Sequence, residues 1–149
     1  MTNDDDYYKE LLESIGIYGY PAFLIIGSHA ADLAMVLSHL LEICSVDQLG
    51  ESLTNKLSDL QGRFDLMFKT YRQDYLEKPD SKKVIFDKYR RNLIKFSTLV
   101  NELKEVLEEL QQTEIGQTEE VSSWLDVMAR TIKSVLGRFH KMRIEFPEE

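Results

Sequence analysis

Between Val46 and Tyr75 the apolar residues fall at Val46, Leu49, Leu53, Leu57, Leu60, Phe64, Met67, Tyr71 and Tyr75. Every gap is three or four residues, which is the a/d spacing of a heptad held for about four heptads. A strand would need gaps of two. The pattern therefore predicts one helix over 46–77 with a single apolar seam. Ser45 and Gln48 have capping-box spacing and open it. Gly50 and Gly62 lie inside it and weaken it by about 1 kcal/mol each. Pro79 ends it, because the residue before a proline disfavours helix.

The same spacing recurs downstream. Ile85, Tyr89, Leu93, Phe96, Val100, Leu103, Leu107 and Leu110 form a second seam, predicted to run from a cap at Asp80 or Ser81 to near Gln112. Val121, Leu125, Met128, Ile132, Val135, Phe139 and Met142 form a third, capped by Thr118, with Gly137 inside it and Pro147 closing the chain. Glu119 and Glu120 sit in its first turn, where the helix dipole favours acids. Leu57, Leu60, Phe64, Leu103 and Leu107 are the expected central layers.

Upstream, residues 4–15 predict a short amphipathic helix capped by Asn3 or Asp4, with Tyr8, Leu11, Leu12 and Ile15 on its apolar face and Gly16 as its stop. A linker over 16–20 follows, whose Tyr18 and Tyr20 are expected to close the end of the core. Pro21 suits the first turn of the next helix, 21–44. That helix carries two adjacent apolar stripes. One holds Ala22, Ile26, His29, Leu33, Val36, Leu40 and Ile43; the other holds Phe23, Ala30, Ala34, Leu37, Leu41 and Cys44. Ser28, Asp32, Met35, His39 and Glu42 form a narrower mixed face. Two stripes imply at least two neighbours, and Gly27, Ala30, Ala31 and Ala34 allow close approach.

Three long seams need one another, and short loops make sequential helices antiparallel. The expected fold is all-α: an elongated up-and-down antiparallel bundle of about five helices, a short N-terminal helix plus a four-helix core, in a single domain over 1–149. The 149 residues, 43% hydrophobic and 30% charged, suit one soluble globular domain. Pro21 to Cys44 is apolar enough to suggest a membrane span, but His29, Asp32, His39 and Glu42 would be costly in hydrocarbon. No membrane association is expected. The acidic start lacks an apolar segment of the secretory kind. With one cysteine, Cys44, no internal disulfide can form, so a cytoplasmic location is expected.

Candidate chemistry is sparse. His29-Ala-Ala-Asp32 and His39-Leu-Leu-Glu42 have the i, i+3 spacing of bundle metal ligands. At 100° per residue, however, His29 points into an apolar stripe while Asp32 and His39 share the mixed face. No metal is expected at these four; Asp32 and His39 are expected to form a surface pair and His29 a hydrogen-bonded core position. Cys44 has no histidine placed to activate it, and there is no Gly-x-Ser-x-Gly or phosphate-cradling loop. The helical-ribonuclease arrangement of an arginine followed by a histidine is not met: Phe96 stands where the histidine would follow Arg91, and Arg138 to His140 is too short. No enzymatic activity and no cofactor are expected.

Charge is the remaining signal. Residues 82–95 hold Lys82, Lys83, Lys88, Arg90, Arg91 and Lys95 against Asp87 alone, and residues 130–143 hold Arg130, Lys133, Arg138, Lys141 and Arg143 with no acid. Each segment carries +5, whereas the rest of the chain carries −18, for a net −8. Folding the last two long helices about a turn near Ile115 brings both segments to one end. Lys88, Arg91, Lys95, Arg130, Lys133, Arg138 and Lys141 are therefore the expected binding residues for an anionic partner. The leading expectation is a non-enzymatic interaction protein, a subunit or adaptor of a larger cytoplasmic complex, with a protein partner or a homo-oligomer. An alternative is a nucleic-acid-contacting subunit of a ribonucleoprotein or defence complex that uses this basic end. A further one is a metal or small-ligand bundle centred on the 21–44 helix.

Overall fold

The computed structural model describes residues 4–14, 21–77 and 81–145. Among them every regular element is helical: α1 (Asp4–Ser14), α2 (Pro21–Ile43), α3 (Val46–Leu49), α4 (Glu51–Glu77), α5 (Lys82–Gln111), a 3-10 turn (Ile115–Gln117) and α6 (Glu119–Glu145). Asn3, Ile15, Gly16, the 16–20 linker, Pro79, Asp80 and Pro147 lie outside the described residues. So do the side chains of Leu12, Ala22, Phe23, Tyr75, Phe139, Lys141, Met142 and Arg143.

The chain leaves α2 through Ser45, whose capping box forms as its spacing implies. The Gln48 N–H donates to Ser45 Oγ at 3.2 Å, and the Ser45 N–H donates to Gln48 Oε1 at 2.8 Å. The helix expected over 46–77 is not continuous. It breaks at Gly50, whose φ of +87° is a backbone state that residues with a Cβ rarely adopt. Four residues of α3 precede the break, so six α-helices replace the expected five. The seam survives: Leu49, Leu53, Leu57, Leu60, Phe64 and Tyr71 are buried, while Val46, ahead of the break, is 54% exposed.

Four long helices, α2, α4, α5 and α6, surround one core. Contacts fix their directions. Lys56 meets Glu109, Arg63 meets Glu102, and the Tyr71 hydroxyl donates to the Asn92 carbonyl at 3.2 Å, so α4 and α5 run oppositely. His39 meets Trp124, and His29 lies within electrostatic reach of Arg138, so α2 and α6 also run oppositely. A Cβ on Gly27 would stand 3.5 Å from Tyr71 Cβ, an ordinary contact distance, so α2 and α4 pack against each other at this point. Both α2 stripes are inside, with Ile26, Leu33, Val36 and Leu40 buried from one and Ala30, Ala34, Leu37 and Cys44 from the other. Helix α1 lies on α5, where Tyr8 packs against Phe86 with ring centroids 5.7 Å apart. No helix of the described residues is long and apolar enough to cross a membrane.

Ser81 occupies the N-cap position of α5, but its side chain makes no capping bond. Thr118 caps α6 with a long bond from the Val121 N–H at 3.4 Å. Gly62 and Gly137 lie inside α4 and α6, and a Cβ at either meets nothing within 4 Å. Gly62→Ala and Gly137→Ala should therefore each raise stability by about 0.5–1 kcal/mol, through helix propensity and a less mobile unfolded chain. Urea melts of the single variants measure this, and a loss of stability in both would contradict the open surroundings.

Candidate binding face on α5

Three of the four cations of α4 pair locally, and the fourth, Arg72, is exposed and forms no ion pair with a described residue. Lys56 pairs with Glu109 at 3.0 Å, Arg63 with Glu102 at 2.8 Å and with Asp59 at 3.2 Å, and Lys69 with Asp65 at 2.9 Å. All are exposed pairs, each worth about 0–1 kcal/mol. The Lys56–Glu109 and Arg63–Glu102 pairs join α4 to the C-terminal half of α5, and the other two lie within α4. Arg91 and Lys95 of α5 are also exposed, and neither forms an ion pair with a described residue.

The seven cations expected to bind an anion occupy different surroundings. Arg91 and Lys95 are one turn apart on α5, and Lys95 lines a groove between α4 and α5. Lys88 is half-buried on the same helix. Lys133 lines a different groove, between α5 and α6, with Lys104 and His140. Arg130 is exposed on α6. Arg138 turns inward: it is half-buried and hydrogen-bonded to the side chain of Tyr89. Lys141 belongs to α6, with its side chain outside the described residues.

Arg138 thus joins an inner polar group linking α2, α5 and α6. Burial pushes the Tyr89 hydroxyl above its ordinary pKa, with the Arg138 charge and hydrogen bond opposing. Burial also lowers the pKa of His29; the Arg138 charge lowers it further, and Asp32 pulls it back up. A histidine held neutral in the fold takes its proton more readily when unfolded. Stability should therefore fall as pH drops below 6.5, the ordinary histidine value, towards the lower folded value. His29→Gln should flatten that fall between pH 7.5 and 5.5 in denaturant melts. An identical acid slope in wild type and variant would remove His29 as its source.

The other histidine of α2 is placed differently from the expectation. His39 packs edge-on against Trp124 of α6, with centroids 4.7 Å apart, and forms no ion pair with Asp32. A tryptophan face across the bundle offers the ring an apolar contact that a solvated carboxylate does not. Among the described residues no three His, Cys, Asp or Glu side chains are grouped as a metal site. Cys44 is buried, and burial, with Glu120 adding, raises its thiol pKa and disfavours the nucleophilic thiolate.

The α4–α5 groove has a volume of about 510 Å³. Its apolar surface comes from Leu66, Met67, Ile94 and Leu99, and Leu66 is 64% exposed. Sequence reasoning did not single out this surface. Leu66 lies off the α4 seam, and Ile94 lies off the α5 seam; only docking the two helices puts them on one groove. No family model matches the chain, and no curated protein or solved structure matches it.

Proposed function

We propose that the protein is a non-enzymatic interaction subunit or adaptor of a larger cytoplasmic complex, and that it binds an acidic protein surface through the face of α5 bearing Arg91 and Lys95. In this reading the helix pairings form an elongated up-and-down antiparallel bundle, with α1 packed across the N-terminal end of α5. The observation that carries the reading is a pair of exposed cations one turn apart on α5, at the edge of an apolar groove. Lys56, Arg63 and Lys69 on α4 each pair with a carboxylate and Arg72 does not; on α5 Arg91 and Lys95 stand exposed with no ion pair to a described residue, and Lys95 lines an apolar groove. Two like charges one turn apart repel slightly in the free protein, and an anionic partner removes that repulsion. The remainder of the chain is strongly acidic, which opposes wrapping along a nucleic-acid duplex and favours a local contact.

The test is Arg91→Glu combined with Lys95→Glu. Both side chains are exposed, so the melting midpoint should stay close to wild type. Recovery of bound protein by the tagged chain from its source cell, quantified by mass spectrometry, should fall at least tenfold. Undiminished recovery at low salt would end the case for this face. Anisotropy with single-stranded RNA, titrated with salt, addresses the nucleic-acid alternative. Tight binding whose log–log salt slope drops by about one unit per cation reversed would replace the protein partner with a phosphate backbone.

A further inference from the structure

We propose that the α4–α5 groove is the seat of an amphipathic helix of the partner, with apolar residues on its docking face and Asp or Glu along the edge facing α5. The proposal rests on the interaction reading above and adds the shape and chemistry of what binds.

Hydrogen-bond accounting makes the groove more apolar than its residue types suggest. Thr70 Oγ1 donates to the Leu66 carbonyl at 2.9 Å, and Thr98 Oγ1 donates to the Ile94 carbonyl at 3.1 Å. Both hydroxyl protons are thus committed to their own helices, so each threonine offers the groove its methyl group and an acceptor oxygen but no donor. The Tyr71 hydroxyl is spent on the Asn92 carbonyl, and the Arg63 guanidinium on Glu102 and Asp59. Beyond these, the groove retains aliphatic surface, the Asn92 amide and the ammonium of Lys95. A small rigid polar ligand would find few partners there. An apolar ridge flanked by a carboxylate would find a complement for each part.

Dimensions point the same way. From Arg63 to Tyr71 the groove follows α4 for about 12 Å, a little over two helical turns. That length accepts apolar anchors at i, i+3 or i+4, and i+7, the spacing by which helices dock in grooves. Helix α1 shows that α5 already takes an acidic amphipathic helix on another part of its surface, at Phe86. Charge sets the partner's sign. Neither Arg91 nor Lys95 is neutralised by a described residue, and no carboxylate lines the groove. An acidic flank would meet both cations, while a basic one would be repelled.

The experiment is selection of a displayed random library, with peptides of about eighteen residues, five helical turns, on the full chain. Enriched peptides should share the i, i+3/i+4, i+7 apolar pattern with flanking Asp or Glu. They should bind at least tenfold more weakly to Leu66→Asp and to Lys95→Glu. Leu66 is exposed, so its substitution leaves the core untouched; circular dichroism and a melt of each variant establish that the fold persists. Failure to enrich that pattern, or enriched peptides that bind Leu66→Asp as well as wild type, would overturn the proposal. So would a wild-type dimer in sedimentation that Leu66→Asp dissociates, since a second copy would then own the groove. If Arg91→Glu with Lys95→Glu abolishes capture of the cellular partner while Leu66→Asp leaves it unchanged, the anionic-partner reading stands and the helix-in-groove proposal fails.

Discussion

Phe64→Ala should lower stability by about 3–5 kcal/mol, the largest single effect expected in this chain. Phe64 is 0% exposed and sits on the α4 seam. Its ring meets Phe96 of α5 edge-on, with centroids 5.8 Å apart and planes at 80°. Truncation removes the transfer free energy of a whole ring and leaves a cavity that long, packed helices collapse into only partly. It also removes an aromatic pair worth about 0.5–1.5 kcal/mol beyond area burial. A domain of this size has about 5–15 kcal/mol of stability in all, so the variant should be near the edge of folding. In a urea melt the midpoint should shift strongly at unchanged slope. A loss under about 1 kcal/mol would mean that α4 and α5 do not share this layer.

Gly116→Ala should be the second largest, at about 3 kcal/mol, and its cause is different. Gly116 is buried in the 3-10 turn between α5 and α6. A Cβ there would stand 2.0 Å from the Leu110 carbonyl oxygen and 2.9 Å from its carbon. Both are backbone atoms, so no side-chain rotation relieves the clash, and the loss falls at the upper end for overpacking. That carbonyl also accepts from Thr113, through its N–H at 3.0 Å and its hydroxyl at 2.6 Å. The Gly116 N–H in turn donates to Thr113 Oγ1 at 3.0 Å. Moving the oxygen aside would loosen the whole turn. The opposite sign expected for Gly62→Ala and Gly137→Ala makes an internal control, because all three changes add the same methyl group. A Gly116→Ala protein as stable as wild type would show that the turn can open without cost.

The apolar spacing alone determined that the described residues would be helical and which face of each long helix would be covered. Leu57, Leu60, Phe64, Leu103 and Leu107 are all buried where their gaps of three and four placed them. The Ser45–Gln48 cap was equally legible, since its donors and acceptors lie three residues apart. These features are local: helical periodicity and capping relate residues within one or two turns, so they can be read along the chain. The break at Gly50 was not legible, because a glycine held in a helix and a glycine that ends one differ by only about 1 kcal/mol of local preference. Surrounding packing settles that choice.

The polar positions depended on tertiary structure in the same way. Helical arithmetic put Arg138 with the other basic residues of its segment, but a hydrogen bond to the Tyr89 side chain, on α5, holds it inward. Asp32 and His39 share a face of α2, yet the ring of Trp124 on α6 takes the histidine. Leu66, Thr70, Ile94 and Thr98 lie off their seams and become one surface only where α4 and α5 dock. A seam tells which side of a helix faces inward. What meets at the flanks depends on how each helix is rotated about its axis and shifted along its neighbour, and those quantities belong to pairs of helices distant in sequence.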